Sequence, residues 1–291
     1  MIRCAVISGK GGTGKTVVTA ALAHLLPQSK VLADCDVDAA NLGILLAPKL
    51  LKTAPFFGLN AACIDPDLCT RCGSCADHCR FGAIGIDASG GYRVDALRCE
   101  GCAVCSEVCP AGAIILQPRV CGTICLSSTS VGTLSHARLF PGAGNSGLLV
   151  HEVKKQAFQL DEDVDMLLMD GPPGIGCPLI STITGTDAVL VVTEPSVAGL
   201  HDLRRVAGVA RRYARGTFVA INRFDIDVPL TRSIEAWCAA ENLPLVGRIP
   251  FDPQVIVSVR SCSPISGSSD SPAARAMQSL ATRLHEEMVC L

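Results

Sequence analysis

Apolar strand patterns alternating with helical patterns predict an α/β chain built on a doubly wound, mostly parallel sheet. Three observations carry this expectation. Ile2 to Ser8 reads as a short buried strand, and Val17 to Leu26 follows with apolar residues at helical spacing, stopping at Pro27. Further strand patterns run through Lys30 to Ala33, Met166 to Asp170, Ala188 to Thr193, Thr217 to Ile221 and Leu245 to Pro250. Between residues 62 and 118 the composition turns cysteine-rich, which marks a small inserted α+β module. The expected boundaries are therefore 1–61 and 119–291 for the two parts of one large domain, with 62–118 between them.

The first strand and helix flank Gly9–Thr16, which reads GKGGTGKT and fits G-x-x-x-x-G-K-[ST] at every fixed position. In a strand–loop–helix context this is a phosphate loop. Gly9, Gly11, Gly12, Thr13 and Gly14 let backbone N–H groups turn inward around phosphate oxygens. The helix N-terminus adds partial positive charge. Lys15 is placed to reach the outer phosphates and the Thr16 hydroxyl to reach Mg²⁺. The second strand ends in Asp34-Cys35-Asp36-Val37-Asp38, and acidic residues beside a phosphate loop suit Mg²⁺ and an attacking water. One of them is expected to cap the next helix instead. Met166 to Met169 leads into Asp170, the position that holds the Mg²⁺ shell, and Gly171 to Gly176 follows as a stiff, glycine-bearing loop.

Net charge is −2, from 25 basic and 27 acidic residues, which argues against a protein that coats nucleic acid. No apolar run reaches bilayer-spanning length, and the N-terminus enters a strand at once, so membrane insertion and a signal peptide are not expected. A cytoplasmic protein is the simplest reading. Seventeen cysteines then point to metal or redox chemistry, because a reducing compartment disfavours disulfides.

Eight of those cysteines form two matching runs. Cys69-x₂-Cys72-x₂-Cys75-x₃-Cys79 recurs 30 residues later as Cys99-x₂-Cys102-x₂-Cys105-x₃-Cys109-Pro110. Gly82, Ala83 and Ile84 recur as Gly112, Ala113 and Ile114. This is the bacterial ferredoxin pattern for two [4Fe–4S] clusters, in which each run sends its fourth cysteine to the other cluster. One cluster is assigned Cys69, Cys72, Cys75 and Cys109, and the second Cys99, Cys102, Cys105 and Cys79. Zinc is the competing ligand, but four-cysteine zinc sites favour separated pairs over duplicated quartets. Arg80 stands where such proteins place proline, whereas Pro110 keeps it. A segment this small needs the clusters to fold. Cys121 and Cys125, four apart on an expected strand, read as structural.

Lys10, directly after the first glycine, is not needed by an ordinary phosphate loop. K-G-G-x-G-K-[ST] resembles the deviant loop of the MinD/ParA family, which includes the nitrogenase iron protein and Mrp-type iron–sulfur carriers. The resemblance implies an ATP-dependent homodimer, or a heterodimer with a related ATPase, in which Lys10 crosses to the partner's nucleotide. It also implies that Asp36 orients the attacking water and that Asn222 reads adenine. Arg223 and Pro250, Phe251 and Asp252 would frame the base. Gly171-Pro172-Pro173-Gly174 resembles the second switch of the Mrp-type branch. Cys177 matches a cluster-bridging cysteine of the nitrogenase iron protein, but Asn145 stands where the second bridging cysteine belongs. Cys177 is thus either a ligand shared across a dimer or a small residue at a helix start.

Together these readings predict a dimeric ATPase that couples Mg-ATP to two [4Fe–4S] clusters, for electron transfer to, or cofactor assembly on, a client metalloprotein. A cluster scaffold gated by ATP and a MinD/ParA-like positioning ATPase are the alternatives. The stretch from Ser258 to Pro272 reads as a loose connection, and Ala273 to Val289 as an amphipathic helix docked on the sheet.

Overall fold

A computed structural model describes residues 1–160, 164–265 and 270–291. The chain opens with β1 (Ile2–Ser8), α1 (Lys15–Leu25), β2 (Lys30–Asp34), α2 (Leu42–Leu46), β3 (Lys49–Phe57) and β4 (Ala61–Ile64). The cysteine-rich stretch contains α3 (Ser74–Asp77), β5 (Ile84–Ile86), β6 (Tyr92–Val94), α4 (Val104–Glu107) and β7 (Ile114–Gln117). Next come β8 (Val120–Thr129), β9 (Gly132–Leu139), α5 (Ser146–Phe158), β10 (Met166–Pro173), α6 (Cys177–Ile183) and β11 (Ala188–Thr193). The chain closes with α7 (Val197–Ala210), β12 (Gly216–Asn222), α8 (Val228–Ala240), β13 (Leu245–Ile249), α9 (Pro253–Arg260) and α10 (Pro272–Val289).

Nine strands form one sheet in the order β13-β12-β11-β1-β10-β2-β9-β8-β3. From β13 to β9 every adjacent pair is parallel. Parallel strands covered on both faces lose their apolar alternation. Cys4 to Ile7, Met166 to Met169 and Ala188 to Val192 are accordingly buried without a break. Helix α10 lays Met277, Leu280, Leu284 and Met288 into the core beneath β12 and β13, as the expected docking helix does. The sheet places Ser8, Asp170 and Asp34 at the C-terminal ends of three adjacent strands, where open α/β sheets bind ligands. Among the described residues no helix is long and apolar enough to cross a membrane.

The chain divides into two compact units. The first holds Met1–Thr53, Ile124–Arg138 and Ser146–Leu291, and the second Ala54–Thr123 with Leu139–Asn145. The second unit is thus drawn wider than the 62–118 read from composition. Within it β4 pairs antiparallel with β7, and β5 with β6.

Two sequence expectations need correction. No strand pattern is read between Ala33 and Ala62, yet β3 runs through Lys49–Phe57. It is the outermost strand and nearly all its residues are exposed, so it lacks an apolar alternation, and Pro55 is tolerated at such an edge. The stretch from Ser258 was expected to be loose, yet α9 continues to Arg260 because Asp252 caps it, accepting from the Gln254 N–H at 2.9 Å. Residues 266–269 of that stretch lie outside the described residues.

Candidate functional site

The loop between β1 and α1 is shaped by backbone that only glycine adopts freely. Gly12 and Gly14 have φ of 81° and 87°. A Cβ on Gly14 would lie 2.4 Å from the Asn222 amide nitrogen. Asn222, at the end of β12, donates that N–H to the Thr13 carbonyl at 2.7 Å and accepts from the Arg223 N–H at 3.0 Å. One N–H and one lone pair of its amide remain.

Asp170 is fully buried and organises the site. It accepts from the Lys15 ammonium at 2.9 Å and from the hydroxyls of Thr16 and Thr19 at 2.8 Å each. Lys15 also faces Asp36 at 3.7 Å. Burial pulls the Lys15 pKa down, but Asp170, Asp36 and Asp34 outweigh it and hold the ammonium charged. Burial and the nearby Asp170 push Asp34 up to about 8, with Lys15 and two backbone N–H donors opposing. Those donors are Leu42 at 3.0 Å and Asp36 at 3.2 Å, so Asp34 is the aspartate that holds the start of α2. Burial also raises Asp36, with Lys15 pulling the other way. The carboxylates of Asp170 and Asp36 around one ammonium leave an excess of negative charge, a donor set of hard oxygens that suits Mg²⁺.

These groups line or underlie a cavity of about 1190 Å³, counted with its open mouth. Gly11 to Val17 form its floor, Asp36, Asp38 and Asn41 one side, and Pro172, Pro173 and Gly176 another. The space admits a nucleoside triphosphate. Other expected site residues are engaged elsewhere. Lys10 pairs with Glu194 at 2.7 Å and donates to the Ser196 hydroxyl at 3.2 Å. Arg223 pairs with the same Glu194 at 3.3 Å. Pro250 follows the end of β13, and Phe251 is half exposed. Besides capping α9, Asp252 accepts from the Ala273 N–H at 3.1 Å, tying α9 to α10. These donors hold its carboxyl below the usual range against the upward push of burial. Motif reading did not single out Thr19 or Glu194. Thr19 lies one helical turn beyond the motif, and Glu194 meets Lys10 only through the β1–β11 pairing.

The second unit repeats itself in space as in sequence. Arg71 and Gly73 in the first cysteine loop, and Gly101 and Ala103 in the second, all have positive φ, between 58° and 82°. Such turns aim backbone N–H groups into the loop. The Cys79 sulfur accepts from the Ala83 N–H at 3.4 Å and the Cys109 sulfur from the Ala113 N–H at 3.3 Å. The halves interlock, with the Asp65 N–H donating to the Ala113 carbonyl at 2.8 Å and the Asp95 N–H to the Ala83 carbonyl at 2.7 Å. Cys79, Cys99, Cys102 and Cys105 line one cavity, of about 380 Å³ counted with its open mouth, with Phe81, Ile84, Val94 and Leu116. Burial raises the Cys105 thiol, and Cys99 and Cys102 add to the rise. Burial likewise raises Cys75, whose neighbouring thiols are Cys69 and Cys109. All these cysteines are free thiols. Among the described residues no three His, Cys, Asp or Glu side chains converge on a single metal ion.

Cys177 is exposed at the start of α6, and a Cβ on Gly147 would come within 3.3 Å of its own Cβ. Asn145 has φ of 74° and accepts from the Leu59 N–H at 2.6 Å. Cys121 is buried and Cys125 half-buried.

The family model for the CobQ/CobB/MinD/ParA nucleotide binding domain matches residues 4–265. An uncharacterized protein of Methanocaldococcus jannaschii is 34% identical over 208 residues, 71% of this chain and 72% of the relative. An uncharacterized ATP-binding protein of the same organism is 25% identical over 97% of this chain and 87% of its own length. Among solved structures, the septum site-determining protein MinD of Pyrococcus horikoshii complexed with Mg-ADP superposes with a TM-score of 0.60 at 20% identity. That match covers 98% of this chain and 96% of the other.

Proposed function

The chain belongs to the CobQ/CobB/MinD/ParA nucleotide-binding family and is an ATPase, and from that premise we propose that it couples ATP turnover to two [4Fe–4S] clusters. In this reading Mg-ATP occupies the cavity over Gly11 to Val17, with Lys15 on the outer phosphates and Thr16 and Asp170 on the metal. Asp36 orients the attacking water. Lys10 leaves Glu194 and reaches the nucleotide of a second chain, while Asn222, Arg223, Pro250, Phe251 and Asp252 frame the base. Cys177 sits on the helix behind the second switch loop, where a paired chain can share it.

The observation that carries the iron–sulfur reading is the crossed set of thiols. Cys79 lines one cavity with Cys99, Cys102 and Cys105, the grouping that the ferredoxin spacing requires. A four-iron cube takes one thiolate on each iron, so its ligands need not converge on one point as those of a single ion do. The N–H donors on Cys79 and Cys109 match the hydrogen bonds by which proteins tune such sulfurs. When bound, the clusters supply one-electron chemistry. Phe81, Ile84, Val94 and Leu116 give the second site an apolar wall. The client is a redox partner or a metalloprotein receiving its cofactor.

Anaerobic purification with iron and sulfide analysis tests this. About eight irons per chain are expected, with a paramagnetic spectrum that changes on adding Mg-ATP. A colourless preparation whose ATPase runs at the same rate overturns it. The family match favours a second reading, a MinD/ParA-like positioning ATPase, whose mark is ATP-dependent sedimentation with anionic liposomes or DNA.

A further inference from the structure

Lys10 is the one loop residue whose side chain is tied down outside the phosphate cavity described above. Its carbonyl accepts from the Ser8 hydroxyl at 2.9 Å, and its ammonium sits between Glu194 Oε1 at 2.7 Å and Ser196 Oγ at 3.2 Å. The hold is built on rigid elements. Glu194 follows β11, which pairs with β1 in register from Cys4↔Ala188 to Ile7↔Val191. Ser196 caps α7, accepting from the Gly199 N–H at 2.9 Å. The other oxygen of Glu194 takes the Arg223 guanidinium at 3.3 Å, so the carboxylate is anchored from behind. The side chains of Lys10 and Glu194 are 30% and 20% exposed, so the pair is screened less than a fully exposed one.

We propose that Glu194 is a positioning residue that parks Lys10 on its own chain and thereby sets the ATP level at which two chains pair. The inference rests on the pairing role proposed above for Lys10. An ammonium that is to reach a second chain's nucleotide must first leave Glu194. Two such contacts break for each pair of chains formed. Arg223 remains behind to neutralise the carboxylate, so release does not strand an unpaired charge. Pairing thus waits until the phosphates of bound ATP outcompete Glu194 for Lys10.

Glu194→Gln tests this, because it keeps the shape and removes the charge. A half-buried ion pair is worth about two- to fivefold in an equilibrium constant. The expected result is a dimer dissociation constant about four- to twenty-five-fold tighter in saturating Mg-ATP, since both lysines are released. Light scattering across an ATP titration reads it. The ATP concentration for half-maximal activity falls while the maximal rate stays unchanged, a split that a fold defect does not produce. Glu194→Asp restores the wild-type threshold in part. In nucleotide-free protein, acylation of Lys10 read by mass spectrometry rises in Glu194→Gln and not in Glu194→Asp. An unchanged or higher ATP threshold in Glu194→Gln, or unchanged Lys10 labelling, overturns the inference and leaves the pairing role standing. A wild-type chain that stays monomeric at saturating Mg-ATP overturns both.

Discussion

At single positions the site is built by exclusion as much as by contact. Gly14 combines a φ of 87° with a neighbour 2.4 Å from where a Cβ would sit. Gly14→Ala is therefore expected to cost about 1–3 kcal/mol in strain and to push Asn222 off Thr13. Loss of the ATP-induced rise in melting temperature, with the fold retained by circular dichroism, checks it. Thr19 is a milder case, because Asp170 keeps two other donors when the Thr19 hydroxyl is removed. Thr19→Val should lower stability by about 1 kcal/mol in urea unfolding. His136 gives a pH signature away from the site. Its Nε2 is 2.9 Å from the Ser127 hydroxyl, and burial, aided by the Arg138 charge, lowers its pKa. The unfolded chain then binds the proton more tightly than the folded one. Stability is full above the ordinary histidine pKa and falls as pH drops through the folded value. His136→Gln should flatten that acid-side decline in urea midpoints measured from pH 7 to 5.

Among elements, the α5–α6 pair shows how the end of a short helix is held. The Lys154 ammonium on α5 is buried and donates to the carbonyls of Ser181, Thr182 and Thr184 at 2.8, 2.7 and 2.8 Å. These are the last-turn acceptors that a short helix otherwise leaves unpaired. Burial lowers the Lys154 pKa, but three acceptors and the helix C-terminus favour the cation. Lys154→Met should destabilise the α/β unit by about 1–3 kcal/mol, because it leaves the buried Thr182 carbonyl without its donor. A shift in urea midpoint at constant slope is the measurement. Neither this clamp nor the Lys10–Glu194 pair was legible in sequence, since each joins residues brought together only by packing. The buried strands β1, β10, β11 and β12 were legible, because unbroken apolar runs ending in Ser8, Asp170 or Asn222 carry their own boundaries. Strand β3 was not, because an exposed edge has no apolar alternation to read. Helix α9 was missed for the same reason, as none of its residues is buried.

For the molecule as a whole, the proposed crossed ligation would turn two local repeats into one cooperative unit. The apolar cluster beneath the cysteine loops is small, with Ala62, Cys75 and Ile114 at its centre. Such a core is small for a segment of this length, and on the iron–sulfur reading proposed above the clusters supply part of its folding free energy. Chelating the iron should then speed hydrogen exchange through residues 62–118 while β1, β10 and β11 stay protected. The crossing also fixes how cysteine substitutions combine. Cys79 precedes the second run in sequence but lines its cavity with Cys99, Cys102 and Cys105. Cys79→Ser and Cys102→Ser should each lower iron from about eight to about four per chain, and the double variant should stay near four. Pairing Cys79→Ser with Cys109→Ser should instead remove nearly all of it, although both residues close their own runs. Iron that stays near four in the Cys72→Ser/Cys79→Ser double variant would mean that each repeat holds its own metal and that the cavity around Cys79 is incidental.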